Sequence, residues 1–223
     1  MAKVKAPLLS FSASGSIAKS QVYASWRGVP YVRQHVVPTY TNTTPQQLTR
    51  GIFSALNAEW ILLGALATAP WTAAAKGRPL TNRNLYLQKN LKAQRAADAG
   101  NMSAYIGSPG NLGGYPLVDL TAATGSSSGE IDVVATLPAR PTDWTIASLS
   151  YCCLPDRLET TLPTVAPTED TEAVAADDTE TDWTISGLVH AASYCIVSWL
   201  VWTRPDGRTC YGASLNTGVT AAD

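Results

Sequence analysis

The sequence contains few of the residues that carry catalysis or bind metals. Only His35 and His190 supply imidazole among 223 residues, and the four cysteines form no Cys-x-x-Cys pair. A structural zinc site needs several Cys or His ligands at close spacing, so this inventory argues against one. The chain also lacks a Gly-Lys-Ser/Thr phosphate loop, a G-x-G-x-x-G motif after a strand and a His-Glu-x-x-His motif. We therefore predict a protein that is not an enzyme and that uses no metal or cofactor.

Two stretches match catalytic patterns formally, but we interpret neither as a catalytic site. Gly125–Gly129 reads Gly-Ser-Ser-Ser-Gly, but the G-x-S-x-G nucleophile motif needs a strand before the serine and a helix after it. A Gly- and Ser-rich stretch is typical of a flexible linker instead. Asp177 and Asp178 are paired carboxylates, yet acid–base catalysis needs desolvated carboxylates, and their surroundings show no sign of a pocket.

Long hydrophobic runs are also missing. The longest, Trp60–Trp71, has twelve residues and contains Pro70, whereas a membrane-spanning helix needs ~20 apolar residues. We expect no membrane contact. The apolar fraction of 45% and the charged fraction of 15% are those of a globular protein with one large or two ordinary domains.

Acidic residues are almost absent from the first hundred positions. That part holds twelve Lys or Arg and two acids, whereas residues 101–223 hold four Arg and fifteen acids. The formal net charge of −1 therefore hides charges of +10 and −11. Such a division indicates two ends that face different partners. Because the basic residues are scattered over several elements without stacking aromatics, direct nucleic-acid binding is not favoured.

The most specific pattern lies between Ser14 and Gln47. Ile17–Trp26 and Val29–Val37 are rich in Val, Ile, Tyr and Trp and predict two strands, joined by a tight turn at Arg27-Gly28. Pro38 ends the second strand because it has no N–H to donate to a ladder.

Helices are predicted after the hairpin. Thr44 is placed to cap the first, and Pro45 suits the first helical position. Apolar spacing and Gly stops predict three helices in all, at Pro45–Leu66, Trp71–Lys76 and Asn82–Ala99.

This region resembles a family of small proteins encoded among the head and tail genes of tailed phages. The likeness rests on the string S-G-S-I-x-K…W-R-G-x-x-Y-V-R…P…T-x-x-Q-x-x-R, which runs from Ser14 to Arg50. It continues through Trp60, Trp71 and the Asn84-Leu85-Tyr86 region and carries no catalytic signature. The resemblance implies a structural protein of the virion, assembled in the host cytoplasm.

Resemblance and charge together predict a docking surface on the hairpin and on the helix that follows it. An acidic partner would relieve the repulsion among the basic side chains and guide association. The partner would be the major capsid protein or another virion protein, contacted by many copies of this chain. The predicted interface consists of Lys19, Trp26, Arg27, Tyr31, Arg33 and Arg50.

The C-terminal part predicts an antiparallel β-sandwich. Leu188, with Tyr194 six residues later, resembles the tyrosine corner of fibronectin type III and other immunoglobulin-like domains. The acid-rich segment between Leu158 and Asp182 is predicted to be a solvated loop. The predicted strands are Ile131–Leu137, Trp144–Cys153, Trp183–Leu188, Ser193–Thr203 and Thr209–Leu215.

The predicted fold class is therefore α+β multidomain. Residues 1–123 form a basic docking region of a β-hairpin and three helices, and residues 124–129 form a Gly/Ser linker. Residues 130–223 form an acidic immunoglobulin-like antiparallel β-sandwich. Its four cysteines, Cys152, Cys153, Cys195 and Cys210, are expected to pack as small buried hydrophobes.

The leading functional hypothesis is a capsid decoration or cement protein that docks on the head shell and projects the sandwich. One alternative is a structural protein of the neck, tail or baseplate. Another is a glycan- or receptor-binding module in which Trp199 or Trp202 stacks on sugars, although sandwich core is the ordinary role of such tryptophans.

Overall fold

The computed structural model of the chain describes residues 2–3, 14–17, 20–26, 29–37, 42–96, 104–110, 113–156, 161–175 and 177–223. The chain forms two compact units, residues 1–43 and residues 44–223. The predicted division lay at residues 124–129 instead.

The first unit is a small antiparallel sheet. Its strands are arranged in the order β1-β4-β3-β2. Trp26 pairs with Val29, so that Arg27-Gly28 is the two-residue connection that the sequence predicts, although both residues lie outside the described part. The four strands are β1 (Ala2–Lys3), β2 (Gly15–Ile17), β3 (Gln21–Trp26) and β4 (Val29–Gln34).

The second unit begins with the three helices that the sequence predicts. The first helix starts at Thr44, one residue before the predicted Pro45, and ends at Leu62 and not at Leu66. The third helix starts at Asn82, as predicted. Among the described residues no single helix is long and apolar enough to cross a membrane, and only the first two helices, bent by 111°, pass that test as a pair. The helices are α1 (Thr44–Leu62), α2 (Ala65–Ala75) and α3 (Asn82–Ala96).

The rest of the unit is an antiparallel β-sandwich of two sheets. One sheet has the order β5-β6-β9, and the other has the order β11-β10-β7-β8 with β12 also paired to β10. The strands are β5 (Asp119–Thr124), β6 (Ile131–Thr136), β7 (Thr145–Pro155), β8 (Thr168–Glu172), β9 (Glu180–Ile185), β10 (Ser193–Thr203), β11 (Thr209–Tyr211) and β12 (Leu215–Thr220).

Two hydrophobic cores make this unit three layers thick. The first core lies between the sheets and contains Cys153 and Ile196 from the five-stranded sheet. The second lies between that sheet and the helices and contains Cys152 and Val197, their neighbours along the strands. Because successive residues of a strand point to opposite faces, the helices cover one face of the five-stranded sheet and the three-stranded sheet covers the other.

This layering explains the sequence of β10. The strand is rich in β-forming residues but alternates poorly between polar and apolar. Tyr194–Leu200 is buried without a break, and Trp199 and Trp202 are both 0% exposed. A strand that is covered on both faces needs apolar residues at consecutive positions.

The tyrosine corner is confirmed. The backbone N–H of Val189 donates to the Tyr194 hydroxyl oxygen at 2.9 Å. The bond fixes the chain where it passes from the three-stranded sheet to β10. It matches the pairing inferred from Leu188 and Tyr194 in the sequence.

The predicted linker is the turn between β5 and β6. The Gly125 N–H donates to the Glu130 carbonyl at 3.1 Å, and a Cβ at Gly125 would lie 2.6 Å from the Cβ of Glu130. Gly129 has φ +73° and donates to the Ala222 carbonyl at 2.9 Å. Glycine is required here for a close turn. The Gly- and Ser-rich composition is also typical of linkers, so the sequence alone did not indicate the turn.

Part of the predicted acidic loop is also a strand. β8 pairs with β7, with Asp170 opposite Tyr151. It lies at the edge of its sheet, where acidic residues reach solvent and limit pairing with other chains. Residues 157–160 and 176 lie outside the described residues.

The cysteines are buried, as predicted. Burial raises the pKa of Cys153 to about 12, and burial together with the charge of Asp156 raises the pKa of Cys195 to about 12. Both groups are therefore neutral thiols at physiological pH. They pack as small hydrophobes, and burial disfavours the thiolate, which is the reactive form.

Candidate protein-binding surfaces

The N-terminal sheet brings three predicted interface residues onto one face. Residues directly opposite each other in an antiparallel pair share a face. Trp26 is opposite Val29, Tyr31 is opposite Ala24, and Arg33 is opposite Val22. We call the face formed by Val22, Ala24, Trp26, Val29, Tyr31 and Arg33 the Trp26 face.

This sheet has no core of its own among the residues described. None of the described side chains of residues 14–37 is buried. Trp26 is 60% exposed, and Val36 and Val37 are exposed by 70% and 73%. A small sheet needs a covered apolar face for independent stability in water. The described residues of this sheet show no such covered face.

Three predicted interface residues remain. Lys19 and Arg27 lie outside the described residues. Arg50 is exposed on α1 and belongs to the second unit. The sequence-based prediction placed the hairpin and the helix in one docking region, whereas they belong to separate compact units.

A second surface is the outer side of the helical layer. The only acid among residues 44–96 is Glu59, which is 1% exposed and belongs to the buried side of α1. All the basic side chains of this segment are exposed. We call the following seven residues the cationic layer: Arg50, Lys76, Arg78, Arg83, Lys89, Lys92 and Arg95.

Glu169 on β8 has a structural role that the sequence did not indicate. Its carboxylate accepts from the Gly64 N–H at 2.6 Å and from the Ala67 N–H at 3.2 Å. These are unpaired amides at the start of α2, where a negative charge is favourable. A Cβ at Gly64 would lie 2.6 Å from the carboxylate, so the glycine permits this approach. The partner is 105 residues away, which no local pattern reveals.

Replacement of Glu169 tests this role. We expect Glu169→Ala to lower the free energy of unfolding by about 1–2 kcal/mol, because it removes a helix cap and a favourable charge. Glu169→Gln should lose less stability, since its amide oxygen can still accept a hydrogen bond from a backbone N–H. Asp170→Ala is the control on the same strand, because among the described residues the Asp170 side chain accepts a hydrogen bond only from the adjacent Thr171 amide. Urea unfolding that shows equal losses for Glu169→Ala and Asp170→Ala would contradict the capping role.

The tryptophans considered for sugar stacking cannot serve that role. Trp199 packs between the helices and the five-stranded sheet, and Trp202 packs in the sandwich core. The Trp202 indole N–H donates to the Tyr115 carbonyl at 2.9 Å. With no exposed ring face, neither residue can stack on a glycan, and their role is structural.

The Gly-Ser-Ser-Ser-Gly turn does contain a serine–histidine contact. Ser128 Oγ and His190 Nδ1 are 2.5 Å apart, and both residues are exposed. In the described part of the chain no carboxylate is hydrogen-bonded to His190, and a nucleophile needs a base that is itself oriented. Across the same residues no cluster of three or more His, Cys, Asp or Glu is placed to hold a metal ion.

Comparisons with known proteins found similarity to solved structures alone. No family model and no curated protein matches the sequence. Among 25 matching chains of solved structures is a computationally redesigned β-sandwich protein, with 15% identity, a TM-score of 0.34, and coverage of 48% of this chain and 90% of that one. Another is the FN5 domain of Drosophila Lar, with 20% identity, a TM-score of 0.33, and coverage of 49% and 97%.

Both neighbours are β-sandwich domains, one of them fibronectin-like, and each covers about half of the chain. The sandwich assignment itself follows from the strand order and the tyrosine corner described above. A shared sandwich fold does not indicate a shared function.

Proposed function

We propose that this protein is a structural component of a tailed-phage virion, specifically a capsid decoration or cement protein. The N-terminal sheet docks on the head shell, and the second unit presents an immunoglobulin-like domain to solvent. One observation carries the docking proposal: a sheet with no buried side chain among its described residues aligns Trp26, Tyr31 and Arg33 on one face. The resemblance of residues 14–50 to phage head and tail proteins supports the virion setting.

The composition of the Trp26 face suits a protein partner. Aromatic residues and Arg are enriched at the centre of protein interfaces, where they account for most of the binding energy. Trp26 and Tyr31 supply large rigid rings, and Arg33 supplies a charge at the far end of the same face. An acidic patch on the shell would complement Arg33 and guide association.

Many copies on a lattice suit such a small docking element. Neighbouring copies on a particle raise one another's effective concentration, so each contact needs only modest affinity. A neck, tail or baseplate position uses the same docking surface on a different acidic partner. Imaging virions that carry a label on the C-terminus distinguishes these positions, since a head protein gives signal over the whole shell.

Substitution of the Trp26 face tests the docking proposal. We expect Trp26→Ser, Tyr31→Ser and Arg33→Ser together to weaken binding to particles lacking this protein by at least about a hundredfold, since interface anchors contribute ~2 kcal/mol or more each. Arg33→Ser alone should mainly reduce the salt dependence of binding.

The control for this experiment lies on the opposite face of the same sheet. Tyr23→Ser, Val32→Ser and Gln34→Ser change residues that alternate with the Trp26 face along β3 and β4. We expect these changes to leave binding within a few-fold of the original. Unchanged binding by the Trp26-face variant at both low and high salt, or an equal loss in the control, would contradict docking through this face.

A further inference from the structure

The outer face of the three-stranded sheet is acidic. Leu120, Val133 and Trp183 point into the sandwich core from β5, β6 and β9. The alternate residues of these strands point outward, and no basic residue occurs in any of the three strands. We call this surface the acidic sheet face; its carboxylates belong to Asp119, Asp132, Glu180 and Asp182.

These carboxylates have no cationic partner within the described part of the chain. The ion pairs found there join Asp206 to Arg204 and Arg208. Asp132 accepts from the Thr184 hydroxyl at 2.8 Å, and Asp119 accepts from the Leu120 N–H. These contacts orient two of the side chains without neutralising them.

The acidic sheet face and the cationic layer lie on opposite sides of the second unit. The five-stranded sheet is the middle layer, with the helices on one face and the three-stranded sheet on the other. The unit therefore has seven exposed basic side chains on its helical segment and four carboxylates, of which Asp132 is half-buried, on the sheet at the opposite side. Among the described residues the ion pairs found do not join these two sets of side chains.

We propose that copies of this protein associate head-to-tail, with the cationic layer of one copy against the acidic sheet face of the next. A second copy is the partner that these surfaces specify, because one molecule carries both complementary surfaces. Such a heterologous contact uses two different patches and leaves one of each free, so that it can continue along a row of copies.

The acidic sheet face suits a close protein contact. Its other outward residues include Thr121, Val134 and Thr184, which are small or medium-sized, and Val134 is 39% exposed. They leave the surface of the pleated sheet flat, so that the long side chains of Lys92 and Arg95 on α3 could reach the carboxylates. Charge pairs of this kind mainly set specificity and association rate, and they weaken as salt rises.

This inference does not rest on the proposed docking of residues 1–43. It uses surfaces of residues 44–223 alone. Failure of head-to-tail association would leave docking through the Trp26 face untouched, and the reverse also holds.

The test uses two complementary charge reversals in the full chain. Asp132→Lys with Asp182→Lys cancels the net negative charge of the acidic sheet face, and Lys92→Glu with Arg95→Glu adds acid to the helical side. A control, Asp156→Lys with Asp223→Lys, makes the same charge change at exposed positions outside the three strands. Self-association is measured by sedimentation velocity over a series of protein concentrations, at low and high salt.

We expect the unaltered protein to associate reversibly at low salt and to dissociate at high salt. Each reversal alone should raise the dissociation constant by more than about tenfold, because like charges then meet across the contact. Mixing the two reversed proteins should restore association, since each supplies the surface that the other has lost. The control should associate like the unaltered protein.

Three results would overturn the inference. One is an unaltered protein that stays monomeric at every concentration at low salt. Another is association that neither reversal weakens, or that the control weakens equally. The third is a mixture of the reversed proteins that does not associate although circular dichroism shows both to be folded.

Discussion

A fragment of residues 130–223 will not form a soluble, cooperatively unfolding domain, whereas residues 44–223 will. The shorter fragment lacks β5, which completes the three-stranded sheet, and it lacks all three helices. It therefore uncovers the face of the five-stranded sheet that the helices protect. Leu154, Val197 and Trp199 on that face are 3%, 0% and 0% exposed in the intact unit.

The expected effect is large compared with the stability of a domain. Burial of a large apolar side chain contributes ~1.5–3 kcal/mol. Leu154, Val197 and Trp199 together then represent at least about 5 kcal/mol, against a total stability of about 5–15 kcal/mol for an ordinary domain. An exposed apolar sheet face of this kind also promotes aggregation.

A third fragment separates the effect of losing β5 from the effect of losing the helices. Residues 114–223 restore β5 but still lack the helices, so we expect this fragment to remain aggregation-prone. Circular dichroism and thermal unfolding of the three fragments supply the measurement. A monomeric fragment 130–223 with a sharp unfolding transition would show that the helical layer is not needed to complete the fold.

Local sequence patterns were sufficient to predict the features that depend on residues close together in the chain. The register at Trp26 and Val29 follows from a two-residue turn, and the starts of α1 and α3 follow from residues suited to helix N-termini. The corner at Tyr194 follows from a spacing of six residues to Leu188. Each of these signals involves residues close together in the chain.

The features that sequence reasoning missed depend on distant contacts. α2 begins at Ala65, six residues before the predicted start, and it contains Pro70 in its interior. The Glu169 carboxylate caps that earlier start from the edge of the sandwich. Likewise, the unbroken burial of β10 implies a cover on its second face, but composition alone does not identify α1–α3 as that cover.

Only part of the candidate interface could be predicted from the sequence. The period-2 alternation of a strand places Trp26, Tyr31 and Arg33 on one face once the hairpin register is known. Arg50 was grouped with them on charge, and charge carries no information about which compact unit a residue joins. The sequence alone does not show that the basic and acidic side chains lie on opposite outer layers, because this requires the order of the layers in the fold.

Deletion of residues 1–43 should abolish docking and leave the second unit folded. Both hydrophobic cores lie within residues 44–223, so we expect the unfolding transition of that unit to stay close to that of the full chain. We expect binding to fall by more than about a hundredfold, because the deletion removes the whole Trp26 face with its aromatic anchors.

Docking through the N-terminal sheet is tested by cosedimentation of residues 1–223 and of residues 44–223 with particles that lack this protein. We expect residues 1–223 to pellet with the particles and residues 44–223 to stay in the supernatant at both low and high salt. A folded fragment 44–223 that pellets as completely as the full chain would contradict docking through the N-terminal sheet.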